Sequence, residues 1–241
     1  MTIELPTLPY NFTALEPAMS ADTLVFHLSH HQRGDFDRIA SLIRGTELKA
    51  LPLEELVHVA ARTPGRRTLY QCAAETWNHN FFWKSMRPGG GGTAHGLIGE
   101  CIGAHFGGYE QFVREFKNAA ASLFGNGWLW VTLKDDVIEI LTTSNADTPI
   151  VRGHTPLLAL DLWEHAYYLD HQNRRSAYVT TFLDELVDWE CANRILRKRI
   201  DATEALATRF GAVTSNVIPR VRRPYEAPGE VRNVESAGHQ G

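Results

Sequence analysis

The sequence predicts an α+β fold: an N-terminal antiparallel helical hairpin followed by a C-terminal domain of a three-stranded antiparallel sheet with helices. Three observations point there. Two long helix-compatible stretches, 20–45 and 67–86, are separated by the turn signal Thr63-Pro64-Gly65. Pro88 and Gly89-Gly90-Gly91-Gly92 then break the chain. Beyond the break, helical patterns give way to short apolar runs joined by turn residues.

Residues 1–19 are punctuated by Pro6, Pro9 and Pro17 and are expected to be extended. Ser20 suits an N-cap with Asp22 in the first turn, and Gly45 suits the residue after the helix end. His27, His31 and Asp35 recur every four residues within that helix, drifting only about 40° per step, so all three share one face. Leu24, Leu28, Phe36, Ile39, Leu42 and Ile43 supply apolar surface for packing. Gly34 costs a helix interior roughly 1 kcal/mol against Ala, and a broken local rule beside Asp35 points to function or to close backbone approach.

In the second helix Glu75 and His79 are again four apart. Two facing antiparallel helices bring His27, His31, Asp35, Glu75 and His79 near one locus. The domain boundary falls in the glycine run, giving an N-terminal unit of 1–90 and a C-terminal unit of 91–200. In the latter, 96–104 and 109–123 read as amphipathic helices. The runs 128–133 and 137–143 read as strands joined at Lys134-Asp135-Asp136, and Leu157-Leu158-Ala159-Leu160 behind Pro156 as a third. A last helix spans 182–200, with Arg and Lys in its final turns. From 201 to 241 periodicity fades, and a mobile tail is expected.

Composition sets the bounds. The 241 residues are 44% hydrophobic and 22% charged, with a net charge of −4, an ordinary globular balance. No basic run supports nucleic-acid binding. No apolar stretch approaches the roughly 18 residues of a membrane span, and the start lacks the pattern of a secretory signal. Cys72, Cys101 and Cys191, without CxxC spacing, suggest reduced core thiols in a cytoplasm.

The chemistry centres on Asp161-Leu162-Trp163-Glu164-His165-Ala166-Tyr167-Tyr168. The strand before it delivers Asp161 and His165 from the interior, and a carboxylate with an imidazole suits a divalent metal that accepts mixed ligands. On these eight residues alone, a satisfied Asp and His beside an aromatic core is an equal reading.

This segment resembles the C-terminal signature of the iron/manganese superoxide dismutases. The likeness extends from about Leu5 to Lys198 through Trp77-Asn78-His79-x-Phe81-Phe82-Trp83, Phe124-Gly125-Asn126-Gly127-Trp128-x-Trp130 and Ser144-Asn145-Ala146-x-Thr148-Pro149. The fold expectation leans most on this ordered series. The resemblance implies one iron or manganese ion per chain, held by His27, His79, Asp161 and His165. It further implies a homodimer, in which Glu164 binds a ligand histidine across the two-fold axis and Tyr168 reaches the partner subunit's His31. Trp128, Trp130, Trp163 and Trp83 would wall the site.

Two positions depart from the family pattern. Alignment without a gap places Asp35 where members carry a tyrosine that gates the funnel and supplies protons; a one-residue shift would place Gly34 or Phe36 there. Glu75 stands where iron-type members have a glutamine, and Ala146 where manganese-type members have theirs. Ionised carboxylates here would favour the oxidised metal, by about 3 kcal/mol for unit charges roughly 6 Å apart at an effective dielectric of 20, and would repel an anionic substrate. A protonated Glu75 would instead mimic the amide. Superoxide dismutation is the leading expectation. The candidate catalytic residues are Glu75, Asp35 and His31. The alternatives are a scaffold repurposed to oxidise an organic substrate with dioxygen or peroxide, with Glu75 a fifth ligand or base and Asp35 a substrate contact, and a non-catalytic structural member.

Overall fold

The structure, a computed structural model, describes residues 7–210. The first of these do not run extended. They fold into successive turns, Ala14 N–H to Asn11 C=O and Met19 N–H to Leu15 C=O, each 3.0 Å, because Leu15 and Met19 are both buried in the main core.

Ser20 caps the first helix as its chemistry requires, its hydroxyl accepting from the Thr23 amide at 3.2 Å. That helix comprises α1 (Ala21–Phe26), a π-helical turn (His27–Gln32) and α2 (Arg33–Ile43), with Gly45 following at φ +74°. The π turn breaks the four-residue periodicity just where the sequence reading relied on it. Next comes α3 (Leu53–Arg62), which the sequence reading did not assign. It buries Leu56, Val57 and Ala60 against α4 (Arg67–Lys84), so the hairpin wraps a third helix. Buried side chains run the length of α4, from Leu69 to Trp83, and include Glu75, Thr76, Asn78 and His79. A helix buried this broadly is a central one.

The glycine run lies closed against the second half of the chain. Arg87 N–H bonds Leu186 C=O at 2.9 Å, Gly91 N–H bonds Val187 C=O at 2.9 Å, and Gly92 N–H bonds Leu183 C=O at 3.0 Å. A Cβ on Gly90 would stand 2.4 Å from Leu186 O, and one on Gly91 2.2 Å from the Asp184 backbone, so only glycine permits the approach.

Beyond the seam, α5 (Gly96–Phe106) and α6 (Tyr109–Ser122) lead into the sheet. Its order is β2-β1-β3, with β1 (Gly127–Lys134) central and antiparallel to β2 (Val137–Ser144) and β3 (Thr155–Asp161). Asp135 and Asp136, at φ 49° and 61°, make the tight β1–β2 turn. Pro156 is accommodated where the β1–β3 register shifts between Val131 and Thr132. Trp128, Leu129, Trp130 and Val131 are all fully buried.

The chain closes with α7 (Tyr168–His171), α8 (Arg175–Thr181), a second π turn (Phe182–Leu186) and α9 (Trp189–Phe210). The expected helix over 182–200 is thus divided at Val187, which bridges to Met86. Helix α9 continues ten residues past the expected start of the tail at 201. Residues 211–241 lie outside the described residues, and with them the rest of that expectation. One core cluster joins Leu15, Leu24, Phe82 and Trp83 to the sheet and to α8, so both halves share it.

Candidate metal centre

Four elements each bring one side chain to a common point. His27 opens the π turn, His79 lies within α4, Asp161 ends β3, and His165 sits in the short 3-10 turn Glu164–Ala166. One ligand atom from each lies within 4.8 Å of the others. Asp161 Oδ2 is 3.1 Å from His27 Nε2, 3.4 Å from His79 Nε2 and 3.3 Å from His165 Nε2. None of these four buried atoms makes a hydrogen bond within the described chain. Desolvated lone pairs converging in this way are costly unless a cation takes them. Three imidazole nitrogens and a carboxylate oxygen suit iron or manganese.

Protonation states agree with that role. His79 Nδ1 meets the Glu75 carbonyl at 2.8 Å, which places its hydrogen there and leaves Nε2 as a free lone pair. Burial pushes His27 down to about 3, the neighbouring His79 and His165 opposing the pull of Asp161, so it is neutral at ordinary pH. Burial alone would raise Asp161, but His165, His27 and His79 outweigh it and hold the carboxyl well below the usual range. Its Oδ1 accepts from the Trp163 amide at 2.8 Å, which fixes how the carboxylate is turned.

The walls are aromatic. Trp83 meets His27 edge-on at 4.7 Å between ring centroids, Trp128 meets His79 at 5.0 Å and 89°, and Trp163 stacks on His165 at 5.7 Å. Trp130 stands one layer back: it packs on Trp128 at 5.9 Å and donates to Thr143 Oγ1 at 3.0 Å.

Residues 2–87 match the model of the α-hairpin domain of iron/manganese superoxide dismutases, and residues 94–195 match that of their C-terminal domain. An iron superoxide dismutase of Synechococcus elongatus is 44% identical over 193 residues, covering 80% of this chain and 96% of that protein. The chloroplastic iron superoxide dismutase 1 of Arabidopsis thaliana is 43% identical over 197 residues, 82% of this chain and 91% of the relative. One from Legionella pneumophila is 40% identical over 198 residues, 82% of this chain and all of its own length. The chain belongs to the iron/manganese superoxide dismutase family.

Within this superoxide dismutase fold, the two departures have definite surroundings. Glu75 is buried, its Oε2 accepting from Trp128 Nε1 at 3.2 Å. Burial first, then the Asp161 charge, pushes its carboxyl well above the usual carboxylate range. A bound cation would act the other way. In the metal-free chain burial thus opposes an ionised Glu75. At Asp35, one of the three possible registers, burial raises the carboxyl, while the Cys72 thiol beside it and the charges of His79 and His165 act the other way. A Cβ on Gly34 would meet nothing within 4 Å, so close approach is not its reason. Phe36 lines a shallow apolar groove with Ile39 and Ile43.

His31 is exposed, stacked on His165 at 4.2 Å and 18°. Glu164 is exposed and Tyr168 is half exposed. The sequence reading missed Gln32, fully buried five residues after His27. A periodicity of 3.6 residues does not bring Gln32 inward beside His27, and the π turn does.

Proposed function

We propose that the chain is an iron-dependent superoxide dismutase working as a cytoplasmic homodimer. The observation that carries this reading is the quartet His27, His79, Asp161 and His165, whose buried donor atoms converge with no other partner in the described chain. Iron is favoured by the names of the relatives. It is favoured also by Glu75, which offers its carboxyl from the α4 side, where the resemblance has iron-type members bring their glutamine. When bound, the ion supplies electron exchange, so that one superoxide is oxidised to dioxygen and a second is reduced, with two protons, to hydrogen peroxide.

The chain's own residues do the rest. Asp161 supplies the one anionic donor and the imidazoles supply neutral ones. Trp83, Trp128 and Trp163 close off water from three sides. Glu75, tied to Trp128, is placed to offer a hydrogen bond into the site when protonated, as an amide would. Asp35 and His31 stand at the outer side, positioned to hold protons on the way in. Because burial works against charge on Glu75 and Asp35 alike, the electrostatic case for a repurposed oxidase weakens. The complete ligand set argues against a non-catalytic member.

A second copy would cover apolar surface beside the site. Phe124 is 99% exposed, Tyr168 50% and Leu169 54%. Arg175 gathers this region, donating to Leu123 O at 2.9 Å, Gly125 O at 2.7 Å and Tyr167 Oη at 3.2 Å. The cytoplasmic reading rests on three free cysteines. Among the described residues no helix is long and apolar enough to cross a membrane. The deciding experiment measures superoxide consumption against iron and manganese content, for the wild type and His79→Ala. We expect about one iron per chain, with activity proportional to it and lost in the variant. Zinc alone, or iron without superoxide consumption, would overturn the reading.

A further inference from the structure

Gln32 ends the π turn that His27 begins, and its amide is wholly buried. Both ends of that amide meet α4. Oε1 accepts from Trp83 Nε1 at 2.8 Å, and Nε2 donates to Asn80 Oδ1 and to the Thr76 carbonyl, the latter at 3.5 Å. A buried amide persists only when satisfied in this way. The bonds join residues 44 to 51 apart in sequence, so they fasten one long helix to the other rather than serving either locally. The π turn makes the joint possible, because in it the five-residue step from His27 to Gln32 stays on the inner face.

Trp83 links this joint to the centre. Its ring lies 4.7 Å from that of His27 at an interplanar angle of 73°. His79 has its ring fixed by the bond from Nδ1 to the Glu75 carbonyl, but His27 Nδ1 makes no hydrogen bond within the described chain. The His27 ring is therefore oriented by what packs on it: His165 at 4.6 Å, Trp83, His79 at 4.8 Å and Phe82 at 5.9 Å. Trp83 is held in turn by the directional bond from its indole N–H to Gln32. We propose that Gln32 is a positioning residue of the metal centre, setting the orientation of His27 through the Trp83 indole. This rests on His27 being a metal ligand, as in the reading above. Gln32 itself makes no hydrogen bond to any of the four donor atoms.

The test compares full-length wild type, Gln32→Leu, Trp83→Phe and the double variant, each loaded with iron(II) and oxidised. Trp83→Phe keeps an aromatic wall but removes the N–H, while Gln32→Leu removes its acceptor. The readouts are the electron paramagnetic resonance spectrum of the ferric ion and the rate of iron loss to a chelator, with thermal melting of the metal-free chains alongside. Both single variants should shift the same spectral features and lose iron about tenfold faster. The double should be no faster than the worse single, since both break one link. An unaltered ferric spectrum in Gln32→Leu, even with a lower melting temperature, would reduce Gln32 to a packing residue and overturn the proposal. Multiplying effects in the double would overturn it too, by showing two separate routes. If Gln32→Leu does not fold, Gln32→Met takes its place at nearly the same length. A wild type that takes up no iron would instead defeat the ligand assignment, a result distinct from either.

Discussion

Trp128 stands directly opposite Asp161 across the β1–β3 ladder, and its indole N–H donates to Glu75 on α4 at 3.2 Å. Directly opposed residues share a face of the sheet, so one strand pair fixes the anionic ligand and the wall that anchors Glu75. The α4 helix supplies Glu75, but the sheet supplies its partner. Trp128→Phe keeps the ring and removes the donor. Iron content should stay near wild type, activity per iron should fall about tenfold, and the metal-free chain should lose about 1 kcal/mol. Unchanged activity per iron would show that this hydrogen bond has no part in turnover.

Glu75 makes a prediction about pH in the metal-free chain. Burial, then the Asp161 charge, raises its carboxyl well above the ordinary 4.5. A raised carboxyl favours the fold while it is protonated, below 4.5 in both states, and that advantage is lost as pH climbs through the raised value. Wild type should therefore lose stability relative to Glu75→Gln on going up from about pH 4.5, by as much as about 1.4 kcal/mol per pH unit. Thermal melts of both chains across that range supply the comparison. Parallel curves would mean that Glu75 titrates as an ordinary surface acid.

Asp35 makes one about salt. Above its raised pKa it places a negative charge on the side of the site facing His79 and His165, against an anionic substrate. Superoxide consumption per iron at alkaline pH should rise severalfold as ionic strength goes from about 0.01 M to about 0.15 M, because screening relieves the repulsion. Asp35→Asn should be faster at low salt and nearly flat. A wild-type rate that falls with added salt would show net attraction and exclude Asp35 as the dominant charge.

The exposed apolar side chains bear on assembly. Burying one large apolar residue is worth roughly 1.5–3 kcal/mol, and a two-fold interface counts each substitution twice. Phe124→Glu with Leu169→Glu should turn the proposed dimer into a monomer by light scattering while leaving the helical content intact. A wild-type chain that is monomeric and active would remove the interface from the functional account.

Much of the fold was legible because local chemistry and global position agree. Ser20, Gly45 and the Asp135-Asp136 turn do what their side chains and φ angles favour. The four donors of the candidate metal site were legible through the ordered motifs, and they converge in the structure. Other features were missed. Helix α3 does carry an apolar stripe, Leu56, Val57 and Ala60, behind an acidic first turn that suits a helix start, and the sequence reading passed over both signals. The π turn leaves no mark in a periodicity count, so Gln32 was overlooked. The charge on Glu75 could not be read from its identity, since its burial depends on α4 lying under the sheet.

The glycine run, where the sequence places the domain boundary, is firmly bound in the folded molecule. The Gly91 and Gly92 amides are tied to Val187 and Leu183, and neither Gly90 nor Gly91 leaves room for a side chain. The N–H groups of Gly91 and Gly92 should consequently exchange with deuterium as slowly as those of a core strand. A protease that favours flexible glycine loops should find these peptide bonds closed while the protein stays folded. The part of the chain that looks most like a hinge is fastened like a clasp, and separating the halves would mean unfolding the core they share.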